Sequence, residues 1–191
     1  LDVLPGYIRR MKALNPDIVI FIKETVSAEA IPALQNGEID LAFARLTGEQ
    51  GEGIESLPIS SAELVVTLPH DHRLAGQSRI SLRSLMNEEW VMFYRCLNPG
   101  YFDSIISACR SEGFSPRILH EVRSVALQIA FVGCGQGIAL VPASLKHLSL
   151  TSVVTLPLEE RIEVVTTAVA WSSARQNPLV ERFIELVGGD A

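Results

Sequence analysis

A phosphate cradle is the first chemistry the sequence suggests, because GCGQGIALVP (133–142) sets three glycines two apart. A dinucleotide site needs Gly-x-Gly-x-x-Gly after a strand and opening a helix, so that helix-start amides face the pyrophosphate. Here the order is reversed. Val125, Ile129 and Val132 precede the glycines at helical spacing, and the apolar run IALVP follows them. The glycines therefore close a helix and enter a strand, where a left-handed residue is tolerated best without a side chain.

Metal chemistry would need three or four ligands, and His70-Asp71-His72 sits alone in a polar loop after a strand-ending proline. The pairs Ser60-Ser61 and Ser172-Ser173 lack the strand-turn-helix setting of a nucleophile. Glu52 with Glu55, and Glu159 with Glu160, read as surface charge, while His120 and His147 are isolated. The three cysteines, Cys96, Cys109 and Cys134, cannot all pair within the chain and form no Cys-x-x-Cys unit. They fit a reducing, cytoplasmic setting, with Cys109 as a small core residue of a helix. No catalytic set, metal site or cofactor is expected, and the chain reads as a binding module, not an enzyme.

Positioning any site falls to elements that alternate in period. Helices are expected over 3–14, 27–36, 99–112 and 178–187, with another from Ser124 to the glycines. Pro32 makes the second of these irregular or late to start. Strands are expected at 17–25, 39–45, 54–59, 63–69, 90–94, 117–122, 137–142, 152–157 and 162–171, with a turn at 80–85 and a short helix after Pro142. Such alternation implies an α/β protein with mainly parallel sheets, and its restart near 62–70 implies two lobes. The last strand and helix could return to the first lobe, giving two crossings and a hinge.

With 48 % hydrophobic and 20 % charged residues in a chain of 191, there is material for a sizeable core. The net charge of -6 argues against this segment itself gripping nucleic acid or an anionic membrane. No apolar run approaches the roughly 18 residues of a membrane span. The N-terminal LDVLPGYIRRM also lacks the form of a signal peptide. In open α/β sheets ligands bind beyond the carboxyl ends of the strands. The helix starts there are Ser27, Asn98 to Phe102, and Ser124, and their free amides and partial positive charge suit a small carboxylate.

Taken in order, LPGYIRRMKALNPDI (4–18), LQNGEIDLAFAR (34–45), LVVTLPHDHRLAG (64–76), ISLRSL (80–85), GFSPR (113–117) and GQGIALVPAS (135–144) resemble the effector-binding domain of LysR-type transcriptional regulators. The resemblance spans nearly the whole chain. It implies an α/β fold of two Rossmann-like lobes joined by two crossover strands, similar to type 2 periplasmic binding proteins. Lobe I would be 1–64 plus 167–191, and lobe II 65–166. The implied effector contacts are Ser27, Asn98, Pro99, Gly100, Tyr101, Phe102, Val125 and Gln128, with Tyr101 or Phe102 as an apolar wall. The loop NPGYF and the segment EVRSVALQ look most similar to members that sense muconate-type or aromatic acids.

The implied partners are a small-molecule effector, operator DNA through an N-terminal winged helix-turn-helix that would precede this chain, a homodimer or homotetramer, and RNA polymerase, with no membrane. Departures exist. The family's first strand would also precede Leu1, Ala30 stands where many members have glutamine, and the first cysteine of the peroxide-sensing branch would fall at Gly100 although the second matches Cys109. Two other readings stay open at this point: a solute-binding protein of the same fold, and a small enzyme on a similar scaffold.

Overall fold

The computed structural model describes residues 4–25, 27–44, 46, 51–144 and 150–189. The chain forms two compact units, one of Leu1–Ser60 with Val165–Ala191 and one of Ser61–Val164. In chain order the elements are α1 (Leu4–Leu14), α2 (Ser27–Asn36), β1 (Leu41–Ala44), β2 (Ile54–Pro69), β3 (Glu89–Phe93), α3 (Pro99–Ser111), β4 (Arg117–Val122), α4 (Val125–Gly133), β5 (Ala139–Pro142), β6 (Val153–Pro157), β7 (Glu163–Ser172) and α5 (Pro178–Gly188). Short 3₁₀ turns lie at Leu82–Leu85 and Arg95–Leu97. Among the described residues no helix is long and apolar enough to cross a membrane.

In the first unit β1 pairs antiparallel with β7, Leu41 opposite Trp171 and Ala44 opposite Ala168. The period of two then sorts side chains by face. Ala42, Ala44, Ala168 and Ala170 meet Ala30 and Leu34 of α2, and these small residues let the helix lie close. Phe43, Val169 and Trp171 meet Tyr7 and Met11 of α1 and Phe183 and Val187 of α5. The Phe43 and Phe183 rings meet edge to face with centroids 5.8 Å apart. Pro32 lies within α2, which nonetheless begins at Ser27.

The second unit holds the doubly covered sheet. β3 and β4 are parallel, Ile138 bridges in parallel to Trp90, and the β5 strand that follows pairs antiparallel with β2, whose other side takes β6. The order across the sheet is thus β4, β3, β5, β2, β6. Trp90, Met92, Leu140, Val66 and Leu68 face Tyr101, Ile105 and Cys109 of α3. Val91, Ala139 and Val141 face Ile129 and Val132 of α4. The two helices therefore cover opposite faces.

Three expectations need correction. Pairing is mainly antiparallel, since among the described strands only β3 and β4 form a parallel ladder. Strand-helix alternation holds from β3 to β5, whereas β2 leaves the first unit and β7 returns, so these two run in opposite directions. Residues 54–59 and 63–69 belong to one 16-residue strand, β2, through Ser60 and Ser61. Residues 17–25 form no strand: they pair with no neighbour among the described residues, and Phe21 is 92 % exposed. An alternating pattern without a ladder partner leaves its outer face in water. The short helix expected after Pro142 falls largely on 145–149, outside the described residues, as does His147.

Gly137 shows what the glycine run is for. Its φ is +122°, and a Cβ there would lie 2.5 Å from the Glu89 carbonyl oxygen. The Ile138 amide donates to that same oxygen at 2.8 Å, while Val91 N–H donates to Ile138 O at 2.8 Å. Only a residue without a side chain lets the backbone turn from α4 into the sheet beside β3.

Candidate functional site

β3 and β4 end level with each other, Phe93 opposite Val122, and the Tyr94 amide donates to Val122 O at 3.0 Å. From this carboxyl edge the chain enters α3 after the 3₁₀ turn at Arg95–Leu97, and enters α4 directly. Both helices thus begin at the same edge of the sheet, on opposite faces. A crevice at such an edge, where connections leave on opposite faces, is where open α/β sheets hold ligands.

At the start of α3, Asn98 is buried and its Oδ1 accepts the Tyr101 amide at 3.2 Å, while its carbonyl accepts Phe102 N–H at 3.2 Å. Pro99 occupies the first helical turn, where its missing N–H costs nothing. At the start of α4, Ser124 sits in extended backbone and its Oγ accepts Leu127 N–H at 3.2 Å, with Gln128 N–H on its carbonyl at 3.1 Å. Among the described residues these caps leave the amides of Gly100, Val125 and Ala126 as first-turn donors without a partner. Together with the two helix dipoles they favour a negative group.

The aromatic pair divides in role. Tyr101 is built into the core, its ring edge-on to Phe93 and its hydroxyl donating to Leu140 O. Phe102 is half-buried. Val125 is half-buried beside the α4 cluster, whereas Gln128 is fully buried, with Nε2 donating to Val91 O at 3.1 Å and Oε1 without a partner. The second unit thus gathers Asn98, Pro99, Gly100, Tyr101, Phe102, Val125 and Gln128 on two helix starts. Ser27 opens α2 in the first unit, and its side chain lies outside the described residues.

Sequence reasoning passed over Arg123. It is exposed, directly precedes the cap Ser124, and makes no ion pair among the described residues. The available signal was its place within EVRSVALQ, a cation adjoining a helix-start serine. By contrast Arg95 is held by Asp103 through two hydrogen bonds, Nε to Oδ1 at 2.8 Å and Nη2 to Oδ2 at 2.9 Å.

The other chemically suggestive groups are accounted for locally. His72 accepts the Leu74 amide on Nδ1 at 3.2 Å, and its Nε2 lies 3.3 Å from Glu88, which also takes Arg73. Among the described residues no group of three or more His, Cys, Asp or Glu side chains could hold a metal. Cys109 is fully buried, and burial pushes its thiol up to about 12, the opposite of the low value a reactive thiolate needs. Cys96 and Cys134 are exposed.

A family model described as the LysR substrate binding domain matches residues 1–190. The HTH-type transcriptional regulator BudR of Raoultella terrigena is 29 % identical over 171 residues, 90 % of this chain and 59 % of BudR. The crystal structure of the C-terminal domain of a probable LysR family transcriptional regulator from Rhodococcus sp. RHA1 superposes with a TM-score of 0.79 at 25 % identity, covering 97 % of this chain and 92 % of that one. The effector-binding domain of a BenM variant gives 0.80 at 25 % identity, covering 97 % and 86 %. The chain spans between half and two-thirds of the length of curated relatives it matches.

Proposed function

Because the chain belongs to the family of LysR substrate-binding domains, a two-lobed α/β fold similar to type 2 periplasmic binding proteins, we propose that it senses a small effector acid for a bacterial transcription regulator. The observation that carries the acid is the pair of capped helix starts at one sheet edge, with Arg123, which makes no ion pair among the described residues, beside one of them. The carboxylate meets the amides of Gly100, Val125 and Ala126 and the Arg123 guanidinium, and Phe102 offers an apolar surface to the remainder of the ligand. A muconate-type or aromatic acid is the chemical class.

The full protein carries a winged helix-turn-helix for operator DNA, assembles as a homodimer or homotetramer, contacts RNA polymerase and works in the cytoplasm. Relatives named as HTH-type transcriptional regulators support this reading over a periplasmic solute receptor or an enzyme. Effector control then requires the ligand to prefer one arrangement of the regulator, since equal affinity for both shifts nothing.

Thermal unfolding against muconates, benzoates, other aromatic acids and aliphatic dicarboxylates tests the proposal. A ligand at about 100 times its Kd stabilises by roughly 2.7 kcal/mol. A selective rise that Arg123→Ala or Ser124→Ala diminishes is the expected result. A panel without any rise removes the acid class, and a rise untouched by either variant moves the site away from α4.

A further inference from the structure

The break between the 3₁₀ turn at Arg95–Leu97 and α3 is where the backbone leaves helical geometry, with Asn98 at φ -156° and ψ 82°. The two residues proposed above to meet the effector on this side, Gly100 and Phe102, lie just after that break, in the first turn of α3. Arg95 stands before it and Asp103 after it. Their side chains join across it in a two-point fork, Nε to Oδ1 and Nη2 to Oδ2, at 2.8 and 2.9 Å.

A single-point surface ion pair at such exposure contributes little, because each long side chain must be held in one place and water screens the charge. The planar two-point arrangement differs in fixing direction as well as distance. It also engages both oxygens of Asp103 with Arg95, so this guanidinium is directed along the loop. The Asn98 side chain holds only the first turn of α3, through Tyr101 N–H. The Ser104 hydroxyl turns back on the Gly100 carbonyl at 2.8 Å and leaves the entering loop untouched.

We propose that Arg95 and Asp103 are positioning residues, a fork that closes the loop 95–103 and fixes Asn98 to Phe102 for the effector. The inference rests on the reading of α3's start as part of the effector site, and it adds residues that touch no ligand. Its signature is symmetry. Removing the cation or the anion should loosen the same loop, whereas a direct electrostatic role toward an acid would make the two changes act in opposite directions.

The experiment is hydrogen exchange by mass spectrometry on the full protein, comparing Arg95→Gln, Asp103→Asn and the charge-reversed double variant Arg95→Asp with Asp103→Arg. Each single variant should raise exchange in peptides covering 96–102 by about two- to five-fold. Peptides from β3 and α4 should not change, and the double variant should restore protection in part. Unchanged exchange in both single variants overturns the proposal, as does a rise spread over the whole second unit. Muconate binding supplies the second arm. Both single variants should weaken it, while opposite effects overturn positioning in favour of direct charge. If muconate does not bind the parent protein, the acid class fails on its own terms and the exchange result still decides the fork.

Discussion

Cys109 sets the clearest expectation for a single side chain. A thiol whose folded value lies near 12, against an ordinary 9.0, stays protonated in the native state. Its protonated form therefore adds stability that is fully present below about pH 9 and is lost as pH rises toward the folded value. In native protein at pH 8 a thiol reagent should modify Cys96 and Cys134 and spare Cys109, and Cys109→Ala should flatten the alkaline loss of stability. Rapid native labelling of Cys109 would contradict its burial. Glu88 works with the opposite sign. Burial raises its carboxyl, but hydrogen bonds from Arg73 and His72 and their charges outweigh this and hold it below the usual range. Its contribution is present above the ordinary value of 4.5 and is lost as pH falls through the folded one, so Glu88→Gln should reduce the acid-side slope of stability. At Gly137 both the positive φ and the Glu89 carbonyl oppose any side chain, and Gly137→Ala should lower stability by more than about 1 kcal/mol in urea unfolding.

At the scale of elements, the caps decide what could be read in advance. Asn98 before Pro99, and Ser124 before VALQ, announce helix starts in residue types alone, and both side chains accept the expected first-turn amides. Asn98→Ala should cost about 1 kcal/mol by loss of the cap, measured as a shift in the denaturant midpoint at unchanged slope. A null result would mean that the loop re-caps itself through water. Edges of sheets were less legible. Residues 17–25 have the composition of a strand, yet strand structure is a property of a pair, and Val19, Phe21 and Ile22 are 73 %, 92 % and 71 % exposed. Likewise residues 60–62 were expected to separate two strands, whereas β2 runs through them with β7 as a ladder neighbour. The alternation from β3 to β5 was legible because each helix there closes a parallel connection. The antiparallel pairing of β2 with β5 and β6 was not, since partner choice leaves no mark on the period of either strand.

At the scale of the molecule, two strands contribute to both units. Ser173 N–H donates to Gly53 O at 3.0 Å within the first, and Leu64 N–H to Ile162 O at 2.7 Å within the second. The candidate residues at the starts of α3 and α4 could be found by helix-start chemistry, but the Arg95 to Asp103 fork could not, because pairing is a tertiary fact. Charge extends the argument to the partner. With a net charge of -6, this chain as a whole is repelled by the phosphate backbone, whose binding draws on neutralising cations. Fluorescence anisotropy of the chain alone with duplex DNA at low salt should therefore show no association, and the full protein should show binding that weakens steeply with salt. Salt-sensitive binding by the chain alone would place a phosphate-neutralising surface on one of these two units, and would move the DNA contact out of the helix-turn-helix to which the proposed function assigns it.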